Sequence, residues 1–311
     1  MNPKVSIIVP NYNHAPYLQE RLDTVFNQTI QDFEVILLDD ASTDGSQDIL
    51  KNYAKHPKVS HYIVNAENSG SPFKQWQKGM ALAKGEYIWI AESDDYCEVT
   101  FLESTLRYLS QGHAICYTQT LDVNSYGSDL KSRLPYTAQF EPNIWENHFV
   151  MDGTVFNTNY LLVKNVIPNA SAVVFRRDIV KNSYFNKYLL KMTMCGDWLF
   201  WIRLCANNSI AFVSEPLNYF RYHDTMSRRH NTLQKQRLRL EEEAVLRREV
   251  FRNLGIQNKQ QETLLYKKWF ALHGFFEVFT KRFYSIKLSH TLRSTLFLMF
   301  VSLKLKNRFR F

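Results

Sequence analysis

The chain has 311 residues, of which 45% are apolar and 22% are charged, and its formal net charge is +8. This composition is typical of a folded protein with a sizeable core and excludes an intrinsically disordered chain. No apolar run approaches the ~18–20 residues of a membrane span, and only Met1–Lys4 precede the first apolar run, so we expect no signal peptide.

The positive charge lies at the C-terminal end of the chain. From Val278 onward there are eight Lys and Arg residues and no Asp or Glu, whereas the preceding part holds 30 residues of each sign. A formally neutral body argues against a nucleic-acid partner, and a basic tail indicates an acidic one. The cysteines have no paired spacing, and we expect reduced, mostly buried thiols at Cys97, Cys116, Cys195 and Cys205.

Strands and helices alternate in the first third of the chain. The predicted strands are Val5–Val9, Phe33–Leu38, Val59–Val64 and Tyr87–Ala91, with helices between them at about 17–28, 46–53 and 73–84. Apolar, β-branched runs of this length predict buried parallel strands. The alternation predicts an α/β fold with a parallel sheet and helices on both faces.

Polar loops follow three of these strands. Pro10–Asn13 follows the first, Asp39–Asp40 the second and Glu92–Asp95 the fourth. Ligands of such sheets bind outside the carboxyl ends of the strands, so the three loops indicate one functional cleft. Carboxylates packed as densely as in Glu92–Asp95 repel one another, which favours a divalent metal, although a solvated loop is the alternative for this stretch alone.

The pattern loosens in the middle of the chain. A helix is predicted at Phe101–Leu109, and strands are predicted at Ala114–Tyr117, Ala172–Phe175 and Ile210–Val213. A long, partly ordered loop over about 122–147 is typical of a lid or an acceptor site. Asp197 begins an amphipathic helix and is either its N-terminal cap or a functional carboxylate.

Residues 231–311 are predicted to form an all-helical, basic and aromatic extension to a body of residues 1–230. An aromatic stripe at helical spacing is formed by Leu265, Trp269, Leu272, Phe276 and Phe279. These helices either pack on the body or form an amphipathic segment that binds an anionic membrane surface. The two interpretations are compatible.

Four segments resemble the successive motifs of family 2 glycosyltransferases. They are Val5–Asn13 (VSIIVPNYN), Val35–Gly45 (VILLDDASTDG), Gly85–Asp95 (GEYIWIAESDD) and Gly196–Trp201 (GDWLFW). The resemblance covers roughly residues 3–225 and not the tail. It implies a GT-A-type, Rossmann-like, mostly parallel sheet flanked by helices, and an enzyme that uses a nucleotide sugar.

The resemblance also implies roles for residues on the donor side. Pro10 and Tyr12 match the loop that flanks the nucleobase, and Asp40, with Asp39 beside it, matches the position that binds the base, usually uracil. Lys74 is a candidate for the diphosphate, in a region where some members place an arginine.

Metal and catalytic roles follow from the same resemblance. Asp94 and Asp95 match the acidic motif, one toward the ribose or metal and the other on the metal, which implies Mg²⁺ or Mn²⁺. His223 matches a position near the diphosphate or metal, and Asp197 matches the general base of inverting members. Glu92 stands where many relatives have Asp. A carboxylate free of metal is the better base, which favours Asp197 over Asp94 or Asp95.

The resulting hypothesis is an inverting, metal-dependent glycosyltransferase. It would move a sugar from a nucleotide sugar, with UDP as the favoured nucleotide, to a cell-surface glycan or lipid-linked precursor. It would be cytoplasmic or held at the inner face of the cell membrane by its tail. The alternatives are a non-catalytic nucleotide- or glycan-binding module and a nucleotidyltransferase. The latter would need a Gly-rich, basic loop after the first strand, and Pro10–Tyr12 provides none.

Overall fold

The structure is a computed structural model, and it describes residues 2–167, 169–223, 232–286, 288 and 293–308. Within these residues one sheet contains ten strands, β1 Val5–Asn11, β2 Phe33–Asp39, β3 Val59–Val64, β4 Tyr87–Ile90, β5 Tyr96–Cys97, β6 Ile115–Val123, β7 Lys131–Ser132, β8 Phe149–Asp152, β9 Val173–Arg176 and β10 Ser209–Arg221. The α-helices of the same residues are α1 Ala15–Phe26, α2 Ser46–Tyr53, α3 Pro72–Leu82, α4 Phe101–Leu109, α5 Leu134–Thr137, α6 Gly153–Phe156, α7 Gly196–Cys205, α8 Leu233–Leu254, α9 Lys259–Ala271 and α10 Arg293–Arg308.

The first four strands form the parallel half of the sheet. The order along the sheet is β3-β2-β1-β4-β9-β6-β10-β5, and β1 lies parallel to both β2 and β4. Neighbouring residues of β1 enter different cores, Ile7 on one face and Ile8 on the other. Because helices cover both faces, the central strands β1, β2 and β4 are buried throughout rather than alternating. The predicted parallel α/β sheet is confirmed here.

The second half of the sheet is mixed. β9 runs antiparallel to both β4 and β6, whereas β10 runs parallel to β6. The predicted strand Ile210–Val213 is only the start of β10, because register shifts at Pro216 interrupt the pairing with β6 without ending it. Proline lacks the N–H of a ladder hydrogen bond and occurs at such bulges, which hid the continuity of this strand from the sequence pattern.

The segment predicted as a long loop, about 122–147, is packed against the sheet. It contains β7, α5 and a short 3₁₀ turn at Ile144–Glu146. Trp145 is 2% exposed, and its indole N–H donates a hydrogen bond of 2.7 Å to the Tyr117 hydroxyl. This segment is therefore an ordered wall of the body.

The C-terminal region is helical, as predicted, and α8 shares the core of the preceding body. Leu246 and Val250 of α8 belong to the same apolar cluster as α7, while α9, α10 and the turns between them enclose a second cluster around Trp269. The boundary between residues 230 and 231 stays a prediction. Among the described residues no helix is long and apolar enough to cross a membrane.

The predicted aromatic stripe is wrong in its second half. α9 ends at Ala271, and the chain continues in a 3₁₀ turn over Phe275–Phe279. Phe276 and Phe279 lie beyond this helix and are 82% and 77% exposed. The four cysteines are free and buried, which confirms that prediction.

Candidate active site

The carboxyl ends of β1 and β2 are joined through Asp39. The Asn11 amide donates to Asp39 Oδ2 at 2.8 Å, and the backbone N–H of Ser42 donates to Oδ1 at 2.8 Å. Asp39 is fully buried, so it fixes the loops rather than facing solvent. Pro10 is buried within β1, and Tyr12, just beyond the strand, is 45% exposed.

The Asp40 carboxylate, directly after β2, binds residues that follow β3 and residues of α3. Its oxygens accept hydrogen bonds from the amides of Asn65 and Gln75 and from the backbone N–H and hydroxyl of Ser69, at 2.6–2.9 Å. The ammonium of Lys74 donates to the Ser69 carbonyl at 2.7 Å. The predicted base-binding carboxylate and the predicted diphosphate cation therefore contact the same loop residue.

A cluster of metal-competent side chains lies at the end of β4. One ligand atom each from His14, Asp94 and His223 lies within 4.8 Å of the other two. The imidazole Nε2 of His223 is 3.0 Å from Asp94 Oδ2, and Nε2 of His14 is 4.0 Å from it. Nδ1 of His14 shares a hydrogen bond of 2.8 Å with the Ser93 hydroxyl, which turns Nε2 toward Asp94.

Sequence reasoning found Asp94 and His223 but missed His14. The only available indication was its place in the polar loop after β1, three residues beyond the strand. Imidazole and carboxylate are ligands that Mn²⁺ accepts, whereas Mg²⁺ prefers a set made of oxygens. The donor set therefore fits a divalent transition metal better than Mg²⁺.

The three acidic side chains at the end of β4 have different environments. Burial would raise the pKa of Asp94, but His14 and His223 beside it hold that pKa well below its usual range. Burial, followed by the charge of Asp94, raises the pKa of Asp95. Burial also raises the pKa of Glu92 to about 8, although the Trp76 indole donates to its carboxylate at 2.9 Å. Asp94 is thus the most strongly ionised of the three.

Asp95 lies apart from the histidine cluster and is 1% exposed. Its carboxylate accepts hydrogen bonds from the Asn169 amide, from the Ser171 hydroxyl at 2.6 Å and from the backbone N–H of Arg221 at 3.1 Å. The fully buried guanidinium of Arg21 is 4.0 Å away. These partners are far apart in sequence, so no local pattern could have identified them. The predicted role of Asp95 as a metal ligand stays a prediction.

Asp197 is the second residue of α7 and is 8% exposed. The N-terminal cap of α7 is Cys195, so the capping interpretation of Asp197 is wrong. The Asn165 amide donates to Asp197 Oδ2 at 3.1 Å. Gly196 allows the start of α7 to approach α3, because a Cβ atom there would lie 2.3 Å from the Phe73 ring.

Helix α8 holds the segment that leads into α7. The Glu242 carboxylate accepts hydrogen bonds of 2.8–2.9 Å from three successive backbone amides, those of Thr193, Met194 and Cys195. Two further residues of α8 contact α7: the guanidinium groups of Arg239 and Arg247 lie 5.4 and 5.7 Å from the centre of the Trp198 ring. No local sequence pattern indicates these contacts.

Comparisons with known proteins bear on the family of this chain. The profile described as "Glycosyl transferase family 2" matches residues 6–184. A poly(ribitol-phosphate) beta-glucosyltransferase of Bacillus spizizenii is 43% identical over 95 residues, which are 30% of this chain and 15% of that protein. A putative teichuronic acid biosynthesis glycosyltransferase, TuaG of Bacillus subtilis, is 35% identical over 109 residues, 35% of this chain and 43% of that protein. The chain therefore matches less than half the length of either relative.

A solved structure covers more of the chain. The crystal structure of S. aureus TarS 1–349 in complex with UDP-GlcNAc has a TM-score of 0.63 and 19% sequence identity, and the match covers 98% of this chain and 91% of that one. At this identity the likeness is one of fold. It extends past the body into the C-terminal helices, and it confirms the predicted GT-A-type architecture.

Proposed function

This chain belongs to glycosyl transferase family 2, and from that premise we propose that it is an inverting, metal-dependent glycosyltransferase. The donor is a nucleotide sugar, with UDP as the favoured nucleotide. The acceptor is a hydroxyl of a cell-surface glycan or of a lipid-linked precursor. The observation that carries the proposal is the cluster of His14, Asp94 and His223 at the carboxyl end of β4.

These three side chains would hold Mn²⁺ in preference to Mg²⁺. Bound there, the cation supplies the positive charge that stabilises a departing nucleoside diphosphate without proton transfer. The low pKa of Asp94 keeps its carboxylate ionised and ready to bind the ion. Asp95 is proposed as a further metal ligand beside Asp94, and its hydrogen bonds with Asn169 and Ser171 would hold its carboxylate in place.

Asp197 is proposed as the general base. An acceptor hydroxyl is a poor nucleophile, and a carboxylate within hydrogen-bond reach that takes its proton contributes about 10²–10⁴-fold to the rate. The Asn165 amide engages Oδ2 and so fixes the orientation of the carboxylate. Because such a base assists a direct displacement, the configuration of the anomeric carbon inverts.

The nucleotide is proposed to lie over the ends of β1 and β2. Pro10 and Tyr12 would flank the base, and Asp40, with Asp39 behind it, would bind it. Lys74, in the first turn of α3, would meet the diphosphate beside Ser69, the loop residue that also binds Asp40. A structural neighbour solved with UDP-GlcNAc supports a uridine nucleotide.

The acceptor and the cellular location are proposed from chemistry. The two sequence relatives carry names from cell-wall polymer synthesis, which supports a glycan acceptor. We name Phe275, Phe276 and Phe279 the phenylalanine surface; they are 52%, 82% and 77% exposed, and the exposed cations Lys281 and Arg282 follow them. Exposed aromatics beside cations suit the boundary of an anionic bilayer, so we propose a peripheral position at the inner face of the cell membrane. Of the remaining tail cations, Lys287 and Arg310 lie outside the described residues.

The direct test is a screen of UDP-, GDP- and dTDP-sugars for Mn²⁺-dependent hydrolysis and transfer. We expect a UDP-sugar to be turned over, and Asp197→Asn to retain donor binding while transfer falls by about 10²-fold or more. Transfer at the wild-type rate by Asp197→Asn would remove the base assignment. Calorimetric binding of UDP with Mn²⁺, together with no turnover of any sugar donor, would favour the non-catalytic module.

A further inference from the structure

A row of aromatic and basic side chains lies on the side of the site opposite the nucleotide loops. In the sheet, β1 and β2 lie on one side of β4, whereas β9, β6 and β10 lie on the other. Tyr136 of α5 follows β7, which pairs with β6 on the second side, and Lys164 and Asn165 contact Tyr136. With the donor over β1 and β2, this second side is where an acceptor would approach.

Short contacts connect these side chains to Asp197. The Tyr136 hydroxyl donates to the Asn165 carbonyl at 3.0 Å, and the Asn165 amide donates to Asp197 Oδ2 at 3.1 Å. The Lys164 ammonium donates to the Tyr136 carbonyl at 2.6 Å and lies 3.6 Å from the centre of its ring. The position of the Lys164 charge is therefore fixed by Tyr136, and Lys164 directly precedes Asn165, whose amide contacts the proposed base Asp197.

The positive charge at this place is not neutralised. Among the described residues neither Lys164 nor Lys268 of α9 forms an ion pair with a carboxylate. Burial lowers the pKa of Lys164, and the nearby charge of Lys268 lowers it further. The charges of Lys164 and Lys268 therefore interact unfavourably, and a bound anion would relieve that repulsion.

The row continues toward the histidine cluster. The Arg133 guanidinium lies 5.9 Å from the centre of the Tyr136 ring and donates to the Tyr222 hydroxyl at 3.2 Å. Tyr222 immediately precedes His223, and the side chains of Tyr136 and Tyr222 are 40% and 44% exposed. Arg133 is paired with Asp122, so its charge is already matched. Exposed aromatic rings offer flat apolar faces for sugar rings, and the two lysines offer charge.

We propose that Tyr136, Lys164 and Lys268 form an acceptor subsite for an anionic glycan, a chain that carries phosphate or carboxylate groups. The inference rests on the proposed function, because it places the acceptor beside Asp197. The phosphate or carboxylate of the chain lies between the two lysines, and a sugar ring packs on Tyr136. A hydroxyl of a neighbouring unit then reaches the Asp197 carboxylate.

Binding of labelled glycans, measured by fluorescence anisotropy with UDP and Mn²⁺ present, tests the subsite without requiring turnover. The probes are poly(ribitol phosphate), a hyaluronan oligosaccharide and a neutral maltooligosaccharide. We expect Lys164→Gln and Lys268→Gln each to weaken binding of an anionic probe by about five- to tenfold. Lys267→Gln, at an exposed neighbouring position of α9, is the matched control and should bind as the wild type does.

The outcomes distinguish failure of the acceptor subsite from failure of the proposed glycosyltransferase function. Preference for one anionic probe identifies phosphate or carboxylate as the group recognised, and equal binding of both supports the subsite. Binding of the neutral probe as tightly as the anionic ones, no loss in both lysine variants, or no binding of either anionic probe to the wild type would overturn it. A wild type that binds an anionic probe but transfers no sugar would overturn the proposed function and leave the subsite standing.

Discussion

The backbone amide of Cys195, two residues before Asp197, donates a hydrogen bond of 2.9 Å to the Glu242 carboxylate. Glu242 is 7% exposed and belongs to α8, which lies beyond the region matched by the family profile. Hydrogen bonds to a charged acceptor contribute about 1.5–3 kcal/mol each. The helical extension therefore helps to position α7 and its aspartate.

Replacing this carboxylate should impair transfer more than donor binding. Glu242→Gln removes the charge and places an amide N–H₂ group against backbone N–H donors, so the start of α7 should shift. We expect kcat to fall by about tenfold to a hundredfold while KM for the donor changes little. Glu241→Gln, the neighbouring residue of the same helix, is the control. Steady-state kinetics corrected for the folded fraction measure the effect.

A double-mutant cycle distinguishes positioning of Asp197 from general structural damage. If Glu242 acts through Asp197, then Glu242→Gln should cause little further loss in an Asp197→Asn background. Equal fold-losses in both backgrounds would show that Glu242 acts independently of the base.

Removing one imidazole from the histidine cluster should weaken metal binding. We expect His14→Gln and His223→Gln each to reduce Mn²⁺ affinity by about 10–100-fold, because each deletes one of three converging ligand atoms. Titration followed by electron paramagnetic resonance of free Mn²⁺ measures this affinity. His61→Gln, on the edge strand β3, should leave it unchanged. Wild-type affinity in both cluster variants would place the ion elsewhere.

The phenylalanine surface should carry membrane binding. Deletion of the tail from Lys281 onward is a poor test, because it removes Phe283 and Phe300 from the core around Trp269. Changing only Phe276 and Phe279 to Ser removes two exposed rings and spares that core, whereas the Phe275 ring lies 6.2 Å from the ring of Phe300. Full burial of such a ring contributes about 1.5–3 kcal/mol, so binding to anionic vesicles should fall by at least tenfold. Cosedimentation measures it, and equal binding by both proteins would exclude the surface as an anchor.

Stability of the C-terminal helices should depend on pH through His273. Its Nδ1–H donates to the Trp269 carbonyl at 2.7 Å, and its Nε2 is buried without a hydrogen-bond partner among the described residues. Burial lowers the pKa of His273 below its ordinary value of 6.5, and nearby Arg237 adds to the shift. The unfolded chain therefore binds a proton at a higher pH than the folded protein does.

The free energy of unfolding should be highest above pH 6.5 and should fall as the pH drops from there toward the lower folded pKa. The loss is at most about 1.4 kcal/mol per pH unit. Urea unfolding followed by tryptophan fluorescence between pH 7.5 and 5 measures it. His273→Gln should flatten the dependence and His61→Gln should not; an unchanged slope in His273→Gln would contradict the assignment.

The sequence predicted the parts of the protein that depend on local pattern. The strands β1 to β4 are short apolar runs ended by turn residues, and the carboxylates that follow them were found because parallel strands end at one edge. Asp94 and His223 were predicted through motif resemblance. His14 lacked any pattern, because its contact with Asp94 joins two loops about 80 positions apart.

The remaining contacts are non-local. Asp95 is surrounded by Arg21, Asn169, Ser171 and Arg221, and the loop before Asp197 is held from α8. Each partner is an ordinary polar residue in its own segment, so only the folded chain identifies it. The predictions for the end of the Ile210–Val213 strand and for the end of α9 were wrong for a similar reason. Whether a strand continues past Pro216, or a helix past Ala271, depends on packing with other segments.

The hydrogen bonds of Glu242 bear on the order in which parts of the chain can fold during synthesis. During synthesis the strands β1 and β2, whose ends form the proposed donor site, leave the ribosome long before α8 does. Proteins fold in units from the N-terminus onward. The three hydrogen bonds that hold the segment before Asp197 can form only after residue 242 has left the ribosome. If Asp197 is the base, as proposed, a nascent or prematurely terminated chain would be able to bind the proposed sugar donor but not to transfer the sugar to an acceptor.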